Sequence, residues 1–135
     1  MHMGDRANIY IKEDEKHGVY LYTHWGGYEL PEKLRTALKR GKGRWNDAAY
    51  LARIVFCEMV KGDEEGSTGY GISSRLQDNE HPIIVVDTVK QTVTFADEPD
   101  LSSEDSSPRE NGATRLSMLE YVSLDKADYP EREDK

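Results

Sequence analysis

Residues 83–87, Ile-Ile-Val-Val-Asp, constrain this chain more than any other stretch. Consecutive β-branched residues favour a strand, and a strand's side chains alternate between its two faces. The run Ile83–Val86 is apolar on both faces and therefore belongs in a central strand covered on both sides. The chain must build a sheet around it and find apolar cover for two faces. Its 135 residues supply about one domain's worth of core.

The remaining elements follow from periodicity and punctuation. Ile9–Lys12 and Val19–Trp25 read as strands joined by the charged connection 13–18. In the second, Val19, Leu21, Thr23 and Trp25 share one face, and Tyr20, Tyr22 and His24 share the other. Gly26-Gly27 ends it in a sharp turn. A helix is expected over Pro31–Arg40, where Leu30, Leu34, Ala37 and Leu38 make an apolar stripe and Gly41 stops it. A second helix starts at a cap from Asn46 or Asp47 and runs to Lys61. Between Ala48 and Val60 only Arg53 and Glu58 are charged, so burial nearly all round is expected, Cys57 included. Strands follow at Tyr70–Leu76, Ile83–Asp87 and Thr92–Phe95, the last two as a hairpin around Val89-Lys90-Gln91. Ser117 and Glu120 have capping-box spacing for a short final helix.

The order ββ-αα-βββ plus a short C-terminal helix implies an α+β fold, a small mostly antiparallel sheet packed on a two-helix layer. A single domain is expected over 5–96. The Ser- and acid-rich stretch 97–114 reads as a mobile loop or linker, 115–124 as a short element docking on the domain, and 125–135 as a charged tail. Met1-His2-Met3 reads as an artificial addition to a chain starting near Met3. Two helices cover one sheet face, and Leu116, Met118, Leu119 and Tyr121 make a small lid for the other. A second subunit would complete the cover, so a homodimer is expected.

Composition narrows the function classes. A lone cysteine excludes an internal disulfide, and no apolar run reaches the ~18 residues of a membrane span, which together imply a cytoplasmic protein. His17, His24 and His81 lack metal-ligand spacing, so no metal or cofactor is expected. The glycine-rich 62–71 lacks the Lys-Ser/Thr ending of a phosphate loop. Within a net charge of −8, residues 33–44 carry six cations and no acid. Six cations in an acidic protein are too few to imply DNA or RNA, but enough for a small anion. Arg40, Lys42 and Arg44 would hold charge, Trp25, Trp45 and Tyr70 would pack on a planar group, and His24 would donate a hydrogen bond. A solvated helix end, a core tryptophan and a turn-holding histidine would explain the same residues without a ligand.

The strings THWGG (23–27), RWND (44–47), YLARIVFCEMV (50–60), GYGIS (69–73) and IIVVD (83–87) resemble a group of small phage and bacterial mobile-element proteins. The likeness covers roughly residues 6–95 and brings no activity or functional residue with it. It implies a setting in which anti-defence roles are common. The leading expectation is a non-enzymatic accessory protein that sequesters a nucleotide-like anionic small molecule. The alternative is an inhibitor of a host defence protein, with acidic 97–111 imitating nucleic acid. A third reading is a small hydrolase using His24 with Asp87 or Glu58.

Overall fold

The computed structural model describes residues 4–99 and 107–131. The Ile-Ile-Val-Val-Asp run is a strand buried at every residue. In chain order the strands are β1 (Ala7–Lys12), β2 (Gly18–Thr23), β3 (Tyr70–Ser73), β4 (Ile83–Asp87), β5 (Thr92–Asp97) and β6 (Arg109–Ser117). Their order across the sheet is β3-β2-β1-β4-β5-β6. All neighbours pair antiparallel except β1 and β4, which are parallel, with Ile9 opposite Ile84. That pair requires a crossover. It is supplied by α1 (Leu30–Arg40) and α2 (Ala48–Met59), two helices that pack on one sheet face. A short α3 (Met118–Val122) completes a small α+β fold.

Local chemistry sets the boundaries. The Asp47 side chain accepts from the Tyr50 N–H at 3.2 Å and starts α2. Ser117 and Glu120 form a reciprocal capping box at the start of α3. Gly26 turns the corner after β2 with φ 72°, a left-handed conformation natural to glycine. The main core joins Ile9, Ile11, Leu21, Ile84, Val86 and Val93 of the sheet to Leu34, Leu38, Leu51, Val55 and Met59 of the helices. Each such side chain stabilises the fold by about 1.5–3 kcal/mol when fully buried.

Four expectations change. Residues 109–114 are not loop but the start of β6, an exposed edge strand whose outward positions need no apolar alternation. Its register jumps between Phe95–Thr114 and Asp97–Arg109, a bulge that carries Gly112 at φ 72°. Residues 100–106 of the acidic stretch lie outside the described residues. Second, α2 buries only Leu51, Val55 and Met59, one stripe, because it is an outer layer with one side against the sheet; Tyr50 and Cys57 are exposed. Third, the charged tail is docked as far as Tyr129: Ala127 is buried and the Tyr129 hydroxyl donates to the Gly27 carbonyl. Fourth, the sheet's second face holds its own buried cluster of Tyr10, Tyr20, Ile83, Val85 and Ala96, with Leu76 packed against it. An open second face was the ground for expecting a dimer, and that ground is removed.

Candidate functional site

The corner at residues 23–27 is stitched together by backbone bonds. The His24 N–H donates to the Gly69 carbonyl at 2.8 Å, and the His24 carbonyl accepts from the Asp5 N–H at 2.9 Å. The Gly27 N–H donates to the Asp5 carbonyl, and a side chain at Gly27 would collide with that carbonyl and with Ala7. The Asp5 carboxylate then accepts from the Tyr28 N–H at 2.9 Å and lies 2.5 Å from His81 Nε2. The His81 ring stacks on Tyr129, with centroids 4.6 Å apart and planes 8° from parallel. Burial, then the nearby Asp5 carboxylate, pushes the Tyr129 hydroxyl's pKa up. His81 therefore reads as the clasp between both ends of the described chain. Its place in the polar stretch 77–82 gave no hint of this, because its partners Asp5 and Tyr129 are remote in sequence.

Of the expected ligand residues, three sit here. His24 is exposed, its ring edge-on to Trp25 at 5.5 Å, and among the described residues nothing hydrogen-bonds its imidazole. Trp25 is 46% exposed and leans on Gly69, whose φ of 108° and missing side chain admit the indole. Tyr70 packs against the main core.

The other four stand at the far end of α1, whose 11 residues span about 16 Å. Arg40 is engaged by the Glu58 carboxylate and the Ile54 carbonyl. Lys42 is exposed in the 3-10 turn between the helices. The Arg44 guanidinium lies over the Tyr50 ring, 4.7 Å from its centre. Trp45 is buried in the core, and its Nε1–H donates to the Leu38 carbonyl at 2.9 Å. The seven residues are thus not one site. The helix expected over 31–40 already held this information, since its length sets the two groups apart.

The basic run is also less basic than its sequence. Lys33 pairs with Glu29, Arg35 with Glu32 and Arg40 with Glu58. Among the described residues this leaves Lys39, Lys42 and Arg44 without a carboxylate partner. Arg44 stands at a groove of about 640 Å³ at the first turn of α2, bounded by Glu13, Asn46, Asp47, Thr88 and Gln91. A second hollow of about 420 Å³ adjoins it on the other side of Ala48 and Ala49, against Lys16, His17, Val19 and Ala52. The N–H groups of Ala48 and Ala49 lie in the helix's first turn, where no intrahelical acceptor exists, and no other described group accepts from them. The facing turn is rigid: the Asp87 carboxylate accepts from the Val89 and Lys90 N–H groups, and Thr88 is bound twice to the Lys12 carbonyl.

Asp87 also faces Lys12, whose Nζ lies 4.0 Å from it and 3.2 Å from both Glu15 and Glu110. Burial opposes the Lys12 charge, but Glu110 and Glu15 more than offset it, so the lysine's pKa is raised. Glu110, one of the acids in the 97–111 stretch, is thereby engaged within the fold. The pairing of His24 with Asp87 is not formed, because β1 separates those ends of the sheet by about 17 Å. Glu58 serves Arg40 instead. Among the described residues no three His, Cys, Asp or Glu side chains converge as metal ligands, and no helix is long and apolar enough to cross a membrane.

No family model matches the chain, and no curated protein or solved structure matches it.

Proposed function

We propose that the protein binds a nucleotide-like anionic small molecule, without transforming it, in the groove around the first turn of α2. The observation that supports this reading is the meeting of Arg44 with two unpartnered backbone N–H groups, Ala48 and Ala49, at a helix N-terminus. A phosphate there gains charge-assisted hydrogen bonds and the favourable end of the helix dipole. The adjoining hollow offers apolar surface from Val19 and Ala52, suited to a ring. Glu13 borders both hollows and would accept from a ribose hydroxyl or a ring amine, while opposing a highly charged polyanion. In the mobile-element setting suggested by resemblance, such a protein would remove a host signalling nucleotide.

Calorimetric titration with mononucleotides, cyclic dinucleotides and inorganic phosphate tests this. Saturable binding of at least one nucleotide is expected, weakened about tenfold or more in Arg44→Ala, in line with one lost charged hydrogen bond. Trp25→Ala, at the other end of the fold, should bind like the parent. Absence of binding across the panel, or equal binding by Arg44→Ala, would overturn the reading.

A further inference from the structure

The two edges of the sheet are built differently. β6 carries Arg109, Glu110 and Arg115 and the bulge at Gly112, devices that discourage another strand from adding on. β3 has none of them. Its residues Tyr70, Gly71, Ile72 and Ser73 include no charge, proline or bulge, and Ile72 is 58% exposed. An uncharged edge with an exposed isoleucine, short at four residues, is a template for pairing with a strand of matching length.

The ladder also fixes which backbone groups are on offer. His24 donates to the Gly69 carbonyl, and hydrogen-bonded positions alternate along an antiparallel pair. Gly71 and Ser73 therefore turn their N–H and C=O groups toward β2. Tyr70 and Ile72 turn theirs outward.

We infer that β3 is a dimerisation edge, on which the β3 strands of two copies pair antiparallel about a twofold axis at Ile72, carrying the sheet from one subunit into the next. A twofold axis normal to the sheet sets a residue opposite its own copy, either Ile72 as a hydrogen-bonded pair or Gly71 as a non-hydrogen-bonded one. The Ile72 centre is the one that brings the two exposed isoleucine side chains together. Centred there, the two Ile72 residues exchange both hydrogen bonds, their exposed side chains meet, and Tyr70 pairs with the partner's Ser74. The flanking charges are self-complementary. Asp63, Glu64 and Glu65 precede β3 and Arg75 follows it, all exposed, so antiparallel pairing brings the acidic approach of one copy toward the other's arginine. A second copy thus fits this edge in backbone phase, apolar contact and charge. The inference stands independently of the groove at α2.

Sedimentation equilibrium across the micromolar range provides the first measurement, and a concentration-dependent dimer is expected. Ile72→Lys should be monomeric with an unchanged circular dichroism spectrum, because position 72 is outside the core. In a Cys57→Ser background, Ile72→Cys should form a disulfide-linked dimer on mild oxidation, since hydrogen-bonded partners lie about 5.5 Å apart between Cα atoms, within disulfide reach. Leu119→Cys, equally exposed at 58%, should not. A parent protein that is monomeric throughout overturns the inference, including one that instead captures an extended peptide along β3. So does a dimer that persists in Ile72→Lys and fails to cross-link through position 72.

Discussion

The ring of Tyr22 fills the space that a side chain at Gly71 would need: a Cβ there would meet the phenol hydroxyl and the adjoining ring carbons. The two residues are direct cross-strand partners in β2 and β3, and Gly71 has no left-handed φ. Its glycine is therefore required for room, not for conformation. Tyr10 stands over Gly18 in the same way. Gly71→Ala should destabilise the protein by about 1–3 kcal/mol through overpacking, and by clearly less in a Tyr22→Ala background. Urea denaturation of the four proteins of this cycle measures the coupling, and equal costs in both backgrounds would exonerate the ring.

The paired glycines of the corner should separate by mechanism. Gly26 has space for a side chain but the wrong φ, so Gly26→Val should cost about 1–3 kcal/mol and Gly26→Asn less than about 1. Gly27 has no space, its missing Cβ falling 2.6 Å from the Asp5 carbonyl and 2.8 Å from Ala7, so even Gly27→Ala should be costly. His24→Ala should leave the unfolding midpoint nearly unchanged. A fully stable Gly26→Val protein would refute the corner's dependence on glycine.

Lys12 is the counter-ion of a nearly buried carboxylate. Its side chain and that of Asp87 are 8% and 4% exposed. Lys12→Ala should cost about 1–3 kcal/mol, because it leaves Glu110 without its hydrogen-bonded partner and the poorly solvated Asp87 without a nearby cation. Adding Asp87→Asn should recover part of that loss, since an amide carries no charge. Thermal unfolding of the single and double variants decides it; a double variant weaker than the sum of its parts would exclude charge as the cause.

Glu32 ties the tail to α1 and should make that tie acid-sensitive. Its carboxylate accepts from Arg35 and from the Ala127 N–H, which hold its pKa down from 4.5 to about 2. Because the folded value is the lower one, this contribution is fully present above about pH 4.5 and is lost as the pH falls toward 2. Glu32 is 37% exposed, so solvent screening keeps the effect modest. The parent should unfold at a higher temperature than Glu32→Gln at neutral pH, with the gap closing near pH 2. A gap independent of pH would assign the effect to shape alone.

Features decided within a few residues were legible in the sequence. Asp47 capping α2, the Ser117–Glu120 box and the Gly26 turn all follow from local hydrogen bonding and dihedral preference. Features decided by a distant partner were not. Whether Trp45 stacks on a ligand or fills the core depends on the Leu38 carbonyl and the neighbouring apolar side chains. An apolar helix such as α2 looks alike whether one side or all sides are covered, so Cys57 was placed inside. Strand β6 was hidden for a related reason, since an edge strand with polar outward positions has no alternation to detect. Arg44 was visible as a cation, but its groove is completed by Glu13 and the 88–91 turn, which no local pattern connects to it.

The parallel seam between β1 and β4 has a consequence during synthesis. Ile9 leaves the ribosome long before its register partner Ile84, a delay on the order of 4–15 s at about 5–20 residues per second. The β1–β2 hairpin must wait through that interval with one side of β1 unpaired, while α1 and α2, which emerge sooner, supply the side chains that cover Ile9, Ile11 and Leu21. What stays exposed in the newborn chain is thus a strand edge rather than an apolar face, and its yield in a cell should follow the supply of chaperones that hold unpaired strands more closely than the stability of the finished fold.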